Sequence, residues 1–189
     1  MVAGRIFIVI GLENHRSRRN THYRPKKNLV IRLSHLASTA KEEHSMRTLN
    51  EVAYTAKVHT EGGREGHAQS DDGRLDVTLS TPKGLGGDDG QGTNPEQLFA
   101  AGYSACFIGA MRHVANEGNT SLPEGTAIDA QVSIGPIEGG FGIKAKLEIH
   151  LPDMATDEAQ QLIEKAHQVC PYSNATRDNI EVQLVLKDA

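Results

Sequence analysis

Asn94-Pro95-Glu96-Gln97-Leu98-Phe99-Ala100-Ala101-Gly102-Tyr103-Ser104-Ala105-Cys106-Phe107 opens a helix in the middle of a chain otherwise rich in strand patterns. Asn94 is a good N-cap, Pro95 fits the first helical position, and Glu96 opposes the positive end of the helix dipole. Leu98, Phe99, Ala105, Ile108, Ala110, Met111 and Val114 give apolar cover, and Gly118 marks the end. On the N-terminal side, residues 52–59 and 75–79 alternate as strands do, residues 67–70 read as a partner strand, and Gly-rich turns lie between. A Gly-rich loop spans residues 82–93. On the C-terminal side, residues 128–134 and 143–151 form a hairpin. Residues 156–170 form a helix capped at Thr156 and stopped by Pro171, and residues 180–186 form a last strand. The order βββ-α-ββ-α-β segregates strands from helices, which is the α+β class. No repeat of 20–50 residues interrupts it.

A chain of 189 residues supports one domain with a single core. Its charge is uneven. Residues 1–45 hold nine Lys and Arg against three acids, a charge of +6, which leaves −10 for the remainder of a chain whose total is −4. An acidic body argues against nucleic-acid binding, which needs a basic face. No apolar run approaches the roughly 20 residues that span a bilayer. Residues 1–45 are basic and aperiodic, and cannot bury enough apolar surface to offset their ordering entropy. Such a segment fits a transit peptide, a basic arm binding an anionic surface, or a start assigned upstream of Met46, and the last is the expectation. The domain then runs over residues 46–189.

Only two cysteines occur, Cys106 in the central helix and Cys170 at the end of the second. Two thiols without an export signal make a poor scaffold and a good redox pair, although free cysteines also serve as core filler. A thiol is a nucleophile only as thiolate, which a nearby cation favours. Arg64, between glycines in Gly62-Gly63-Arg64-Glu65-Gly66, is the candidate cation, and Glu96 could hold it through a bidentate pair. An exposed hairpin arginine and simple dipole compensation are the plainer readings of the two. Ten residues of helix between Glu96 and Cys106 span about 15 Å, too far for one guanidinium to reach both. Either the helix breaks near Gly102, or the two residues serve one site from different chains. The small residues in the middle of the helix permit close packing of another helix or chain, so a homodimer with composite sites is expected.

Other motifs fall short. Gly102-Tyr103-Ser104-Ala105-Cys106 lacks the final glycine of a nucleophile elbow. The run Gly84-Leu85-Gly86-Gly87 lacks the Lys-Ser/Thr of a phosphate loop. His167 and Cys170 share a helix face but find little support as a zinc site, so no metal is expected.

Beside the segment from Asn94 to Phe107, three stretches carry a resemblance: residues 62–66, Leu79-Ser80-Thr81-Pro82-Lys83, and Val169-Cys170-Pro171-Tyr172-Ser173-Asn174-Ala175-Thr176-Arg177. Together they resemble the organic hydroperoxide resistance branch of the OsmC/Ohr family, from about Met46 onward. The resemblance implies an OsmC/Ohr-like fold, with antiparallel sheets around two main helices in an intertwined homodimer. It implies a thiol peroxidase acting on alkyl and lipid hydroperoxides; the expected location is cytoplasmic, and charge and hydropathy give neither membrane nor nucleic acid as partner. Cys106 matches the peroxidatic cysteine, Cys170 the resolving one, Arg64 the activating arginine and Glu96 the carboxylate holding it. A Cys106–Cys170 disulfide and its reduction by dihydrolipoyl groups of a lipoylated protein follow from the same resemblance, with no bound cofactor. Preference for organic peroxides requires an apolar pocket, for which Phe99, Phe107 and Phe141 are candidate walls. A redox sensor or apolar-ligand binder on the same fold is the alternative.

Overall fold

The computed structural model describes residues 48–188. Residues 48–53 belong to a separate unit and carry neither helix nor strand, and everything below concerns the unit containing residues 54–188. The proposed boundary near Met46 and the basic segment lie outside the described residues.

Two three-stranded sheets carry the strands. The first is β1 (Val58–Glu61), β2 (His67–Ser70) and β3 (Asp76–Thr78), ordered β1-β2-β3 with antiparallel pairs throughout. The second is β4 (Ala127–Ile137), β5 (Gly140–His150) and β6 (Val182–Asp188), ordered β4-β5-β6. The long helix α1 (Pro95–Glu117) links the sheets; α2 (Thr156–Val169) and the short α3 (Pro171–Thr176) link β5 to β6. The α+β class and the antiparallel pairings therefore hold, with one exception. Strand β6 runs parallel to β5, because the helical crossover returns the chain to the end where β5 began.

The core follows from the two periods of the sequence. Along β5, Ala145, Leu147 and Ile149 alternate inward, and Leu184 and Leu186 of β6 continue that face. Tyr103, Phe107, Ala110, Met111 and Ala115 recur at helical spacing on α1 and pack against it. Ala159, Leu162, Ile163 and Ala166 of α2 do the same. Met111, Leu147, Ile149 and Ile163 are essentially removed from water, each worth roughly 1.5–3 kcal/mol of burial.

Several local expectations change. Residues 52–57 are not strand, and pairing starts only at Val58. Tyr54 stands 80% exposed, with Val58 also exposed. The N-cap of α2 is Ala155, with Thr156 already helical and no side-chain cap present. Helix α2 does end before Pro171, with Cys170 extended at its C-cap, but Pro171 is also the first residue of a further short helix, α3. There its missing N–H costs nothing, since that group would have no partner within the helix.

Candidate active site

Arg64 sits in a single 3-10 turn (Gly63–Glu65) between β1 and β2. The flanking glycines are required there. Gly62 and Gly63 adopt φ of +69° and +58°, and a Cβ on Gly66 would lie 1.8 Å from the Glu61 carbonyl oxygen. The tight loop aims the guanidinium at the first turn of α1. Arg64 Nη1 donates to Glu96 Oε2 at 2.9 Å and Nη2 donates to Oε1 at 2.7 Å, a fork-to-fork pair. The start of α1 is fixed in turn by Asn94, whose Oδ1 accepts from the Gln97 backbone N–H at 2.9 Å. The hydrogen bonds from Arg64 hold the Glu96 carboxyl below the usual carboxylate range, outweighing the opposing effect of burial. The same pairing keeps Arg64 charged.

The two thiols meet elsewhere. Cys106, three turns into α1, is half-buried; Cys170, between α2 and α3, is 0% exposed. Their sulfurs are 3.7 Å apart and both are free. The geometry thus presents one thiol toward solvent and a second directly behind it. Burial pushes the Cys106 thiol pKa up; a hydrogen bond from the Tyr172 backbone works against this, and Cys170 adds to the rise. Among the described residues no cation is among the groups that shift it. Helix α1 is unbroken from Pro95 to Glu117, so the axial gap of about 15 Å between Glu96 and Cys106 stands. The break at Gly102 allowed by the sequence does not occur. Gly102 instead accommodates Tyr172: a Cβ there would lie 2.7 Å from the Tyr172 hydroxyl.

The aromatic side chains divide. Phe99 packs edge-on against Tyr172 and Tyr103, with ring centroids 5.6 and 5.9 Å away. Phe107 is wholly buried in the core and has no surface to offer a substrate in this chain. Phe141 stands 74% exposed in the β4–β5 hairpin. An open groove of about 550 Å³ does run beside Glu96, lined by Leu85, Gln97, Ala100, Val132 and Ile134, and none of the three phenylalanines lines it. His167 and Cys170 acquire no further ligand: among the described residues no group of three or more His, Cys, Asp or Glu could hold a metal.

Sequence reasoning missed four residues around Cys170. Tyr103 Oη lies 2.9 Å from Ser173 Oγ and 3.4 Å from Thr176 Oγ1, all buried. Burial raises the Tyr103 pKa and keeps its hydroxyl protonated. Arg177 donates to the Asn174 side chain at 2.8 Å and to the His167 carbonyl. The available signal was spacing: Tyr103 and Ser173 each lie three residues from a cysteine.

Comparison with known proteins assigns the family. The OsmC-like protein model matches residues 86–185. The organic hydroperoxide resistance protein of Xanthomonas axonopodis pv. citri is 58% identical over 141 residues, covering 75% of this chain and 99% of that protein. The chain belongs to the OsmC/Ohr family. The crystal structure of OhrB of Bacillus subtilis is similar at 48% identity and a TM-score of 0.65, covering 72% of this chain and 100% of that one. An organic hydroperoxide resistance protein from Elizabethkingia anophelis, with thiocyanate bound, matches at 50% identity and a TM-score of 0.68, covering 76% and 100%. The OsmC/Ohr membership accounts for the α+β fold with its antiparallel pairs and long α1.

Proposed function

We propose that this protein is a Cys-based peroxidase that reduces alkyl and lipid hydroperoxides to alcohols. The observation that carries the reading is the 3.7 Å contact between a half-buried Cys106 and a fully buried Cys170. Homology to organic hydroperoxide resistance proteins supports the same chemistry. Cys106 thiolate attacks the distal peroxide oxygen; the O–O bond breaks, the alkoxide takes a proton and leaves as alcohol, and Cys106 becomes a sulfenic acid. Cys170 thiolate then attacks that sulfur. The S–O bond breaks, hydroxide leaves and is protonated to water, and a Cys106–Cys170 disulfide forms. An external dithiol, of the dihydrolipoyl type carried on a protein, returns both thiols by two exchange steps and is itself oxidised. No bound cofactor takes part.

The thiolate needs a cation, and among the described residues none is among the groups that shift Cys106. We assign that role to Arg64 of a second copy, held by its own Glu96, in an intertwined homodimer. Two features support the assignment: the unbroken α1, and the exposed Ala101, Ala105 and Gly109 along one face of that helix. The groove lined by Glu96 carries apolar side chains beside the Arg64 pair, so substrate selection is assigned there, with the partner subunit completing it. A reducing compartment such as the cytoplasm suits two free thiols, and among the described residues no helix is long and apolar enough to cross a membrane. Steady-state consumption of an alkyl hydroperoxide with dihydrolipoamide as reductant tests the reading. Turnover that stops in Cys106→Ser and exceeds that with hydrogen peroxide supports it. Binding of an apolar ligand without turnover would point instead to a sensor or carrier.

A further inference from the structure

We infer that the buried hydrogen bond between Tyr103 and Ser173 is a positioning device that sets the register in which Cys170 reaches Cys106. The inference rests on the disulfide-forming peroxidase proposed above. Tyr103 precedes Cys106 by three residues, and Ser173 follows Cys170 by three. The Tyr103–Ser173 bond at 2.9 Å and the Cys106–Cys170 contact at 3.7 Å are therefore successive rungs across one interface, one helical turn apart on α1.

The first rung is held by chemistry that the second lacks. Tyr103 and Ser173 are both fully buried, so parting their hydroxyls would leave polar groups without water or partner. Thr176 Oγ1 closes the cluster, 3.4 Å from Tyr103 Oη and donating to the Tyr172 carbonyl at 2.8 Å. The Tyr172 ring stacks on that of Tyr103, with centroids 5.5 Å apart and planes 25° from parallel. Residues 172, 173 and 176 of α3 thus grip a single side chain of α1. Cys170 is the extended residue between α2 and α3, at φ −66° and ψ 124°. Its N–H donates to the Ala166 carbonyl and its own carbonyl accepts from the Asn174 N–H, both at 2.9 Å. It is therefore tied to α2 through its N–H and to α3 through its carbonyl, and a shift of α3 against Tyr103 moves it. The sulfurs must close from 3.7 Å to about 2.0 Å to bond, and a slip of α3 by a similar distance would defeat the reaction. Tyr103 and Ser173 bond to each other and not to a sulfur, so they are positioning residues.

A competing reaction reads that register. The Cys106 sulfenic acid either loses its oxygen to Cys170 attack, giving the disulfide and water, or is oxidised by a second hydroperoxide to the sulfinic acid, releasing another alcohol. Full-length protein is treated with tert-butyl hydroperoxide at one fixed excess, and Cys106 products are measured by mass spectrometry. Tyr103→Phe and Ser173→Ala are each expected to raise the sulfinic-to-disulfide ratio about fivefold or more, the factor for one ordinary hydrogen bond. The double variant should be no worse than the worse single one, because both remove the same bond. A merely structural role would lower the melting temperature and leave the ratio alone. Should Ser173→Ala not fold, Thr176→Val probes the same cluster from its edge and should raise the ratio in the same direction. A ratio unchanged in every folded variant, with wild type forming its disulfide, would overturn the inference alone. A wild type that forms no disulfide would overturn both it and the peroxidase mechanism.

Discussion

Arg64 and Glu96 show how little sequence is needed to make a charged device when the backbone is suitably bent. Three glycines set the loop, and a two-pronged ion pair spans it to the helix start. Arg64→Ala is expected to lower kcat/KM on the order of 10²–10³-fold while the fold persists, since the role proposed for Arg64 is that of a donor to developing charge. Steady-state kinetics beside circular dichroism check this. The Glu96 carboxyl is depressed in the folded chain, so the pair's contribution is full above the ordinary carboxylate range and fades only as pH falls through the lowered value. His167 behaves differently. Burial first, and the charge of Arg177 second, bring it to about 4, and among the described residues its buried Nδ1 has no hydrogen-bond partner. Between pH 6.5 and 4 the unfolded chain therefore takes up a proton that the folded chain refuses, and stability falls with acidification. The loss from pH 7 to 4.5 should be about 2–3 kcal/mol, and His167→Leu should flatten it. Urea unfolding midpoints at the two pH values decide the matter. An equal slope in the variant would remove His167 from the account.

At the scale of elements, α1 is where the sequence was most legible. Asn94, Pro95 and Gly118 are local signals, and the helix runs between them as expected. Asn94→Ala should cost about 1 kcal/mol by thermal or chemical unfolding, because it frees the Gln97 N–H that its side chain now satisfies. Residues 52–57 were misread for a definite reason. Alternation reports a β-prone segment, but a strand also needs a neighbouring edge, and among the described residues the β1–β2 ladder starts only at Val58. Pro171 was legible as the stop of α2; the short α3 that it opens was not, because a proline that ends one helix is equally suited to begin the next. The parallel β5–β6 pair and the Tyr103–Ser173 bond were illegible because both depend on contacts across long stretches of chain, 70 residues for the latter. The candidate thiols and Arg64 were legible as residue types. The Arg64–Glu96 pair and its distance from Cys106 were legible too, from helix length; which of the two alternatives held, a break at Gly102 or an unbroken helix, was not.

Across the whole molecule, that separation is the feature with the largest functional consequence. The burial-raised Cys106 thiol lies about 15 Å along α1 from Glu96, the residue that holds the Arg64 cation, and the proposed second copy accounts for that gap. Mixing Arg64→Ala chains with Cys106→Ser chains tests this, since neither is active alone. With composite sites, random hybrids should recover about a quarter of wild-type activity, because half the dimers are mixed and one site in each is intact. Sites built within one chain would recover nothing. We further propose that residues 1–45 are dispensable: a chain beginning at Met46 should fold and turn over as the full chain does, and loss of either would contradict the proposed boundary. The central claim is that Cys106 and Cys170 form a peroxidatic pair. Its most direct test is stopped-flow oxidation of the reduced protein by an alkyl hydroperoxide and by hydrogen peroxide, in wild type, Cys106→Ser and Cys170→Ser. The expected result is fast, organic-selective oxidation that requires Cys106, ending in an intramolecular disulfide that requires Cys170. Slow oxidation, unselective and indifferent to Cys106, would contradict it and leave the two thiols as packing.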